Sequence, residues 1–437
     1  MIKLWLALSS SIFALFLIPC RVQAEALDAD TDSTRQLRNV EVSAQRYTSP
    51  LRQQANGVRQ WQLSSLHNLP KILGNTDPIH VAEMLPGVQT TAEYDAGLHI
   101  WGCDNAHNDI SIDGTTLYGV QHLLGFFSVF NASHFQSMTF APSASMASSA
   151  NRIGGLLRME SVDSLPTRAT GELAIGPMSS QGTLRLPLGQ RTALIVSARE
   201  AYLNLFYNSK LRFDDEQMRY AFGDYNLTLL HQASQRDFLR LNFYGGHDNV
   251  KYDMGFYRAD ASMRWGNQLL STDYRHIFSP DAELSQTLSY SRYGNAFDMK
   301  EQDISFSMPS HITDIGYHAL MQWQKWRWGM DISAQSILPQ SPELTSNTHV
   351  AYEPAVTQNV WQYSIYGEYL WKLSHAITIR PVVKGVLYID DNSTAHWLPA
   401  PSLTATWQTP HAGTFSFHYA WQQQPLSKQA SRQWDSL

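Results

Sequence analysis

The sequence predicts a mainly β chain: a transmembrane antiparallel β-barrel with a small α+β domain in its lumen. Three observations carry that reading. From about Arg168 onward, apolar and polar residues alternate over segments of about ten residues or more, longer than the usual strand and suited to a tilted membrane crossing. The links between these segments are alternately short and long. Finally, only 16% of the 437 residues are charged while 12% are aromatic, yet no apolar run past the N-terminus is long enough for a spanning helix. A membrane protein without such helices must be a barrel. The net charge of -6 without basic blocks speaks against a nucleic-acid partner.

Residues 1–24 read as a signal peptide: Met1 to Lys3, then the apolar run Leu4–Ile18, then the small-residue site Val22-Gln-Ala24. Cys20 is the alternative, as a lipidated cysteine, but Pro19 before it fits that poorly. After cleavage only Cys103 remains, which excludes a disulfide framework. Residues 25–60 form a polar leader with Asp28, Asp30 and Asp32. One β-prone run, Val40, Glu41, Val42, Ser43 and Ala44, interrupts it; such a segment suits strand addition to a partner's sheet edge, or is the first strand of the next domain.

Residues 61–165 read as the small α+β domain. Asp77 caps a short helix with Pro78 at its first position, and Ile79, Val81, Ala82, Met84 and Leu85 form its apolar face. Pro86-Gly87 stops it. Leu98–Trp101 and Asp109–Ile112 read as a central hairpin, with a tight Asp113-Gly114 turn after the second run. Phe135–Phe140 and Gly154–Met159 are further strands.

In this order stand Leu85-Pro-Gly-Val88, His99-Ile-Trp-Gly102, Ile110-Ser-Ile-Asp-Gly114, Phe126–Asn131 and Arg152-Ile-Gly-Gly155. Their order and spacing resemble the plug domain of TonB-dependent outer-membrane receptors, and Val40–Ala44 resembles the family's energy-coupling TonB box. Trp101 stands where the family usually carries arginine.

Residues 166–437 read as a partial barrel. Trp361, Tyr363, Ile365, Tyr369 and Trp371 share one face, against Gln362, Ser364, Glu368 and Lys372; Ile315, Tyr317 and Ala319 alternate with Asp314 and His318. A wet-lumen barrel requires this pattern, although a soluble sandwich would share it. Short links fall near Ala233–Arg236, Phe278–Ala282, Gln324-Lys325, Ser374-His375 and Thr409–Ala412. Long ones fall near Asn208–Ala221, Gly246–Ala261, Gly294–Ser310, Leu338–Thr357 and Asp390–His396. Trp323, Trp326 and Trp328 crowd one short link, as an interfacial girdle does. About thirteen strands can be counted, whereas a plug of this size needs a lumen of about 22. The expectation is therefore a fragment with further alternating strands beyond Leu437.

No catalytic motif stands out, so an enzyme is not expected, nor is a cofactor. His99, His107, His122 and His134 are concentrated in the plug but lack metal-ligand spacing. Asp214-Asp215-Glu216 reads as a solvated loop. The resemblance implies active import in the bacterial outer membrane of a scarce ligand, a siderophore, cobalamin, glycan or peptide. TonB and its inner-membrane complex would be the periplasmic partner, with outer-membrane lipid around the wall. Substrate contacts are expected where plug loops meet outer loops: Tyr94 and Asp95 before the first plug strand, and Tyr118, Gln121 and His122 after the Asp113-Gly114 turn. The alternatives are a truncated remnant that no longer transports and a secreted β-sandwich adhesin.

Overall fold

The computed structural model describes residues 51–53, 58–64, 76–90, 98–122, 125–143, 151–206, 212–213, 216–254, 259–301, 304–345, 355–409 and 413–424. The segments read as signal peptide, coupling box (Val40–Ala44) and first substrate loop (Tyr94, Asp95) lie outside the described residues.

The helix forms as its sequence dictates. Asp77 Oδ1 accepts from the Ile79 backbone N–H at 2.9 Å, Pro78 opens the first turn, and Ile79, Val81 and Ala82 are buried over Pro78–Glu83. Ten strands accompany it: β1 (Leu51–Gln53), β2 (Arg59–Gln62), β3 (Val88–Thr90), β4 (Leu98–Ile100), β5 (Asp109–Ile112), β6 (Thr115–Thr116), β7 (Gln121–His122), β8 (Phe127–Ser128), β9 (Phe135–Ala141) and β10 (Leu156–Ser161). Six of them make one sheet in the order β1-β2-β9-β10-β5-β6, in which β10 runs parallel to β5. Phe135, Met138, Phe140, Leu157, Met159, Ile110 and Ile112 pack into its core together with Ile79 and Leu98.

The expected central hairpin is corrected by the strand pairing. β4 pairs with β3, at Val88↔Ile100 and Thr90↔Leu98, whereas β5 sits in the main sheet. β4 takes the strand just before it as its partner, while β5 is fully buried in the sheet beside the remote β10. The Asp113-Gly114 turn is present: φ is +50° at Asp113 and +88° at Gly114, between β5 and β6. Two successive left-handed residues make the turn type that matches strand twist.

The second sheet has seventeen strands in strict chain order: β11 (Thr170–Ile175), β12 (Ser179–Pro187), β13 (Thr192–Ala201), β14 (Arg212–Phe213), β15 (Glu216–Gln232), β16 (Asp237–Met254), β17 (Ala259–Ser279), β18 (Ala282–Glu301), β19 (Ile304–Trp323), β20 (Trp326–Leu338), β21 (Glu343–Thr345), β22 (Gln358–Tyr369), β23 (Trp371–Lys372), β24 (Ile377–Ile389), β25 (Ala395–Pro399), β26 (Ser402–Thr409) and β27 (Gly413–Ala420). β14, β21, β23 and β25 are short flanking pieces, so thirteen strands cross the wall among the described residues. All neighbours in it are antiparallel, and among the described residues β11 and β27 are its edges and do not pair with each other, so the barrel they form is incomplete.

The alternation seen in sequence becomes two chemically distinct faces. Ile365 and Val383 point outward at 72% and 73% exposure, while their neighbours Ser364 and Lys384 are buried toward the lumen. Trp326 stacks on Trp328 with centroids 5.6 Å apart and lies 4.4 Å from Tyr369, which builds the aromatic cluster at the short-link rim. Two of the long outer links are corrected: β16 continues to Met254 and β17 begins at Ala259, and β18 continues to Glu301 before β19 opens at Ile304. These strands keep their ladder where apolar alternation fades, because pairing needs only backbone groups once both faces meet water. No helix among the described residues is long and apolar enough to cross a membrane.

Candidate functional site: the seam between plug and wall

The plug meets the wall through apolar contacts, such as Phe127 against Phe222 and Tyr118 beside Ile312 and Ile337, and through a series of buried polar contacts, one of them centred on His122. β7 holds it by pairing with β8, at His122↔Phe127. Its ring is stacked on Phe222 and only 1% exposed. Nδ1 lies 2.5 Å from Asp248 Oδ2 and Nε2 lies 2.8 Å from Asp224 Oδ1. A carboxylate only accepts, so both ring nitrogens donate and the ring is an imidazolium. Burial opposes that charge, but the two carboxylates outweigh it and hold the pKa at about 9. On the wall side Asp224 also accepts from Arg199 Nε at 2.7 Å and from the Tyr244 hydroxyl at 2.8 Å. Arg199 in turn donates to the plug carbonyl of Ser128.

A second contact runs through His134. Its Nε2 lies 3.0 Å from Thr228 Oγ1, and Thr228 donates to Asn242 Oδ1 at 2.8 Å. The hydroxyl proton is thus committed, so Nε2 donates to Thr228 and Nδ1 accepts from Ser197 at 2.7 Å. This His134 is neutral: burial, aided by the Arg185 charge, pushes its pKa down to about 3. Asn242 Nδ2 continues to Asp113 Oδ2 at 3.2 Å, and Arg240 Nη2 reaches Asp113 Oδ1 at 3.1 Å. Asp113 therefore serves the turn and fastens it to the wall.

Tyr118 makes the third contact. Its hydroxyl donates to Asp314 Oδ2 at 3.0 Å, and burial pushes its pKa far up, so it stays a donor. Beside it lies a polar cavity of about 150 Å³ between the plug and β18, β19, β20 and β22, lined by Arg152 and Arg158 among hydroxyl and amide side chains. A neighbouring cavity of about 270 Å³ shares Asp113, Arg158, Thr287 and His318 with it and reaches Phe238, Arg275 and Glu283 near the short-link rim.

Trp101 stands apart. It is 70% exposed with φ +54°, a left-handed backbone that costs a bulky residue roughly 1–2 kcal/mol. Its indole lies over Gly87, where φ is +82° and any Cβ would strike the ring. It forms no ion pair with the wall; His122 and Asp113 supply those pairs elsewhere on the plug.

Of the expected substrate residues, Tyr118 and His122 are closed off from solvent in this structure and engaged with the wall. Gln121 is half-buried, and its carbonyl accepts from Trp265 Nε1 at 3.2 Å. The four plug histidines are not gathered, and among the described residues no group of His, Cys, Asp or Glu could hold a metal ion. The roles of His134, Arg152 and Asp314 were not legible from sequence, since their partners are remote in the chain; for Asp314 the one signal was a polar residue on the lumen side of an alternating run.

No family model and no curated relative matches the sequence. Solved structures do. A mutant of the ferric enterobactin receptor of Pseudomonas aeruginosa superposes with a TM-score of 0.57 at 12% identity, over 84% of this chain and 62% of that one. The copper transporter OprC gives 0.62 at 10% identity, over 85% and 64%. The ferric-catecholate import receptor Fiu from E. coli K12 gives 0.60 at 10%, over 85% and 70%. The chain thus has the TonB-dependent receptor fold and spans about three-fifths of the length of the first two of these receptors.

Proposed function

We propose that this chain is the plug and part of the wall of an outer-membrane receptor that imports a scarce ligand by energy-coupled rearrangement of the plug. The observation that carries the proposal is the chemistry of the seam. His122, His134, Asp113, Tyr118 and Asn151 all reach the wall through hydrogen bonds or ion pairs. Water can take over such contacts when they part, so a seam rich in them opens at less cost than one that is apolar throughout. A domain that must move within a barrel is best held this way.

In this reading residues 1–24 direct export, 25–60 carry the coupling segment, 61–165 are the plug and 166–437 the wall. The outward apolar face meets outer-membrane lipid. TonB adds to Val40–Ala44 as a paired strand and pulls. Tyr94, Asp95 and Gln121 are the first candidates for ligand contact, and Tyr118 and His122 become available only when the plug shifts. The ligand belongs among siderophores, cobalamin, glycans or peptides; the neighbours named for ferric enterobactin, ferric catecholates and copper support a metal-bearing ligand.

The test is a photoreactive amino acid at Glu41 in cells. It should cross-link to TonB, and Val42→Pro, which removes a backbone donor, should abolish the cross-link. A cross-link that survives the proline would place the coupling segment elsewhere and overturn this assignment.

A further inference from the structure

We infer that the cavity around Arg152 is a binding site for a small oxyanion, a carboxylate or phosphate group. Arg152 is 7% exposed and lines the cavity of about 150 Å³, and its Nε has no hydrogen-bond partner. A buried cation with an unused donor is costly unless something in the adjoining space completes it.

The acids of the lining already have donors of their own. Asp113 is paired with Arg240 and Asp331 is hydrogen-bonded by His318. Asp314 is satisfied by three donors, with Ser333 on one oxygen and Tyr118 and Gln335 on the other. Arg152 therefore faces a cavity whose acids are engaged, surrounded by hydroxyls. A planar guanidinium with an unused Nε–H matches an oxyanion. The volume suits one carboxylate or phosphate group and not a whole siderophore. The second cavity, which shares Arg158, leads from this point toward the short-link rim.

The oxyanion has two possible sources: a free inorganic anion, or an acidic group on a ligand passing along the seam. The second source rests on the import function proposed above; the first does not. The experiment has two arms. In the first, the full-length protein in detergent is titrated with inorganic phosphate against chloride at constant ionic strength, and its thermal unfolding midpoint is followed. A saturable rise is expected, about tenfold weaker in apparent affinity for Arg152→Gln. It should be unchanged for Arg264→Gln, which disturbs only an exposed wall ion pair. Arg152→Lys keeps the charge without the guanidinium edge and should fall between, which covers a Gln variant that does not fold. No saturable rise, or an equal rise in Arg152→Gln, means water or surface ions alone and overturns the site. In the second arm, cells producing Arg152→Gln are assayed for growth on limiting nutrients that require the wild type. Lost growth with retained phosphate-site behaviour in Arg264→Gln assigns the oxyanion to the cargo. Normal growth with lost phosphate binding assigns it to a free anion.

Discussion

Removing the His122 side chain should loosen the plug from the wall by about 3 kcal/mol. Two routes to that figure agree. The ring is lifted from an ordinary 6.5 to about 9 when docked, and at about 1.4 kcal/mol per unit this corresponds to about 3 kcal/mol of docking free energy. Breaking a buried ion pair by deleting one partner costs about 3–5 kcal/mol because the other charge is stranded. Because the docked pKa is the higher one, the contribution is complete below pH 6.5 and disappears as pH rises through 9. The assay is limited proteolysis or hydrogen exchange of residues 115–140 in detergent, across pH 6 to 10. Wild type should lose protection in the alkaline limb, and His122→Ala should be unprotected throughout. Since Asp248 keeps its Tyr220 donor, the double variant His122→Ala/Asp248→Asn should recover part of the loss by removing one stranded charge. If His122→Ala retains full protection, or if protection in wild type does not change between pH 7 and 9, the charged pincer does not hold the plug.

The acid limb belongs to His134. Its docked pKa lies near 3 because of burial and Arg185, so its contribution is present above pH 6.5 and lost as pH falls toward 3; His134→Gln should flatten that limb, and plug protection in wild type should peak near pH 6.5. Asp113→Ala removes the Arg240 ion pair and a residue that tolerates the left-handed turn, and should destabilise docking by about 2–4 kcal/mol, read in the same exchange experiment. Gly87→Ala faces both a positive φ and the Trp101 indole, so it should displace the indole and shift Trp101 fluorescence when the other tryptophans are replaced. Lipids brominated near the headgroup should quench Trp326 and Trp328 more than lipids brominated at the chain end, as their stacking at the short-link rim requires.

Much of this architecture was legible residue by residue. Asp77-Pro78 specified a capped helix, Asp113-Gly114 a tight turn, and the alternation around Ile365 a strand with one apolar face, because each is decided within a few residues. Errors arose where a strand had a choice of partners, one of them remote in the chain. Leu98–Ile100 and Asp109–Ile112 look like each other's partners in sequence, yet they join Val88–Thr90 and Leu156–Ser161. The seam was less accessible still: His122 meets carboxylates 102 and 126 positions away, and no local pattern encodes that distance. Asp248 in particular lies where the fading alternation near Gly246 suggested an outer loop.

The polar character of the seam has a thermodynamic consequence. Heat capacity rises on separation in proportion to the apolar surface uncovered and falls with the polar surface uncovered. Contacts such as Asn151 to Ser364, Ser133 to Thr183 and Asn267 to the Gly119 carbonyl uncover polar surface when they part. Withdrawal of the plug also uncovers apolar contacts such as Phe127 against Phe222, so the polar groups lower its heat-capacity change below that of an all-apolar seam of the same area. Ionic strength and pH, acting on ion pairs such as His122 with Asp248 and Asp113 with Arg240, would join temperature in setting how readily this plug lets go.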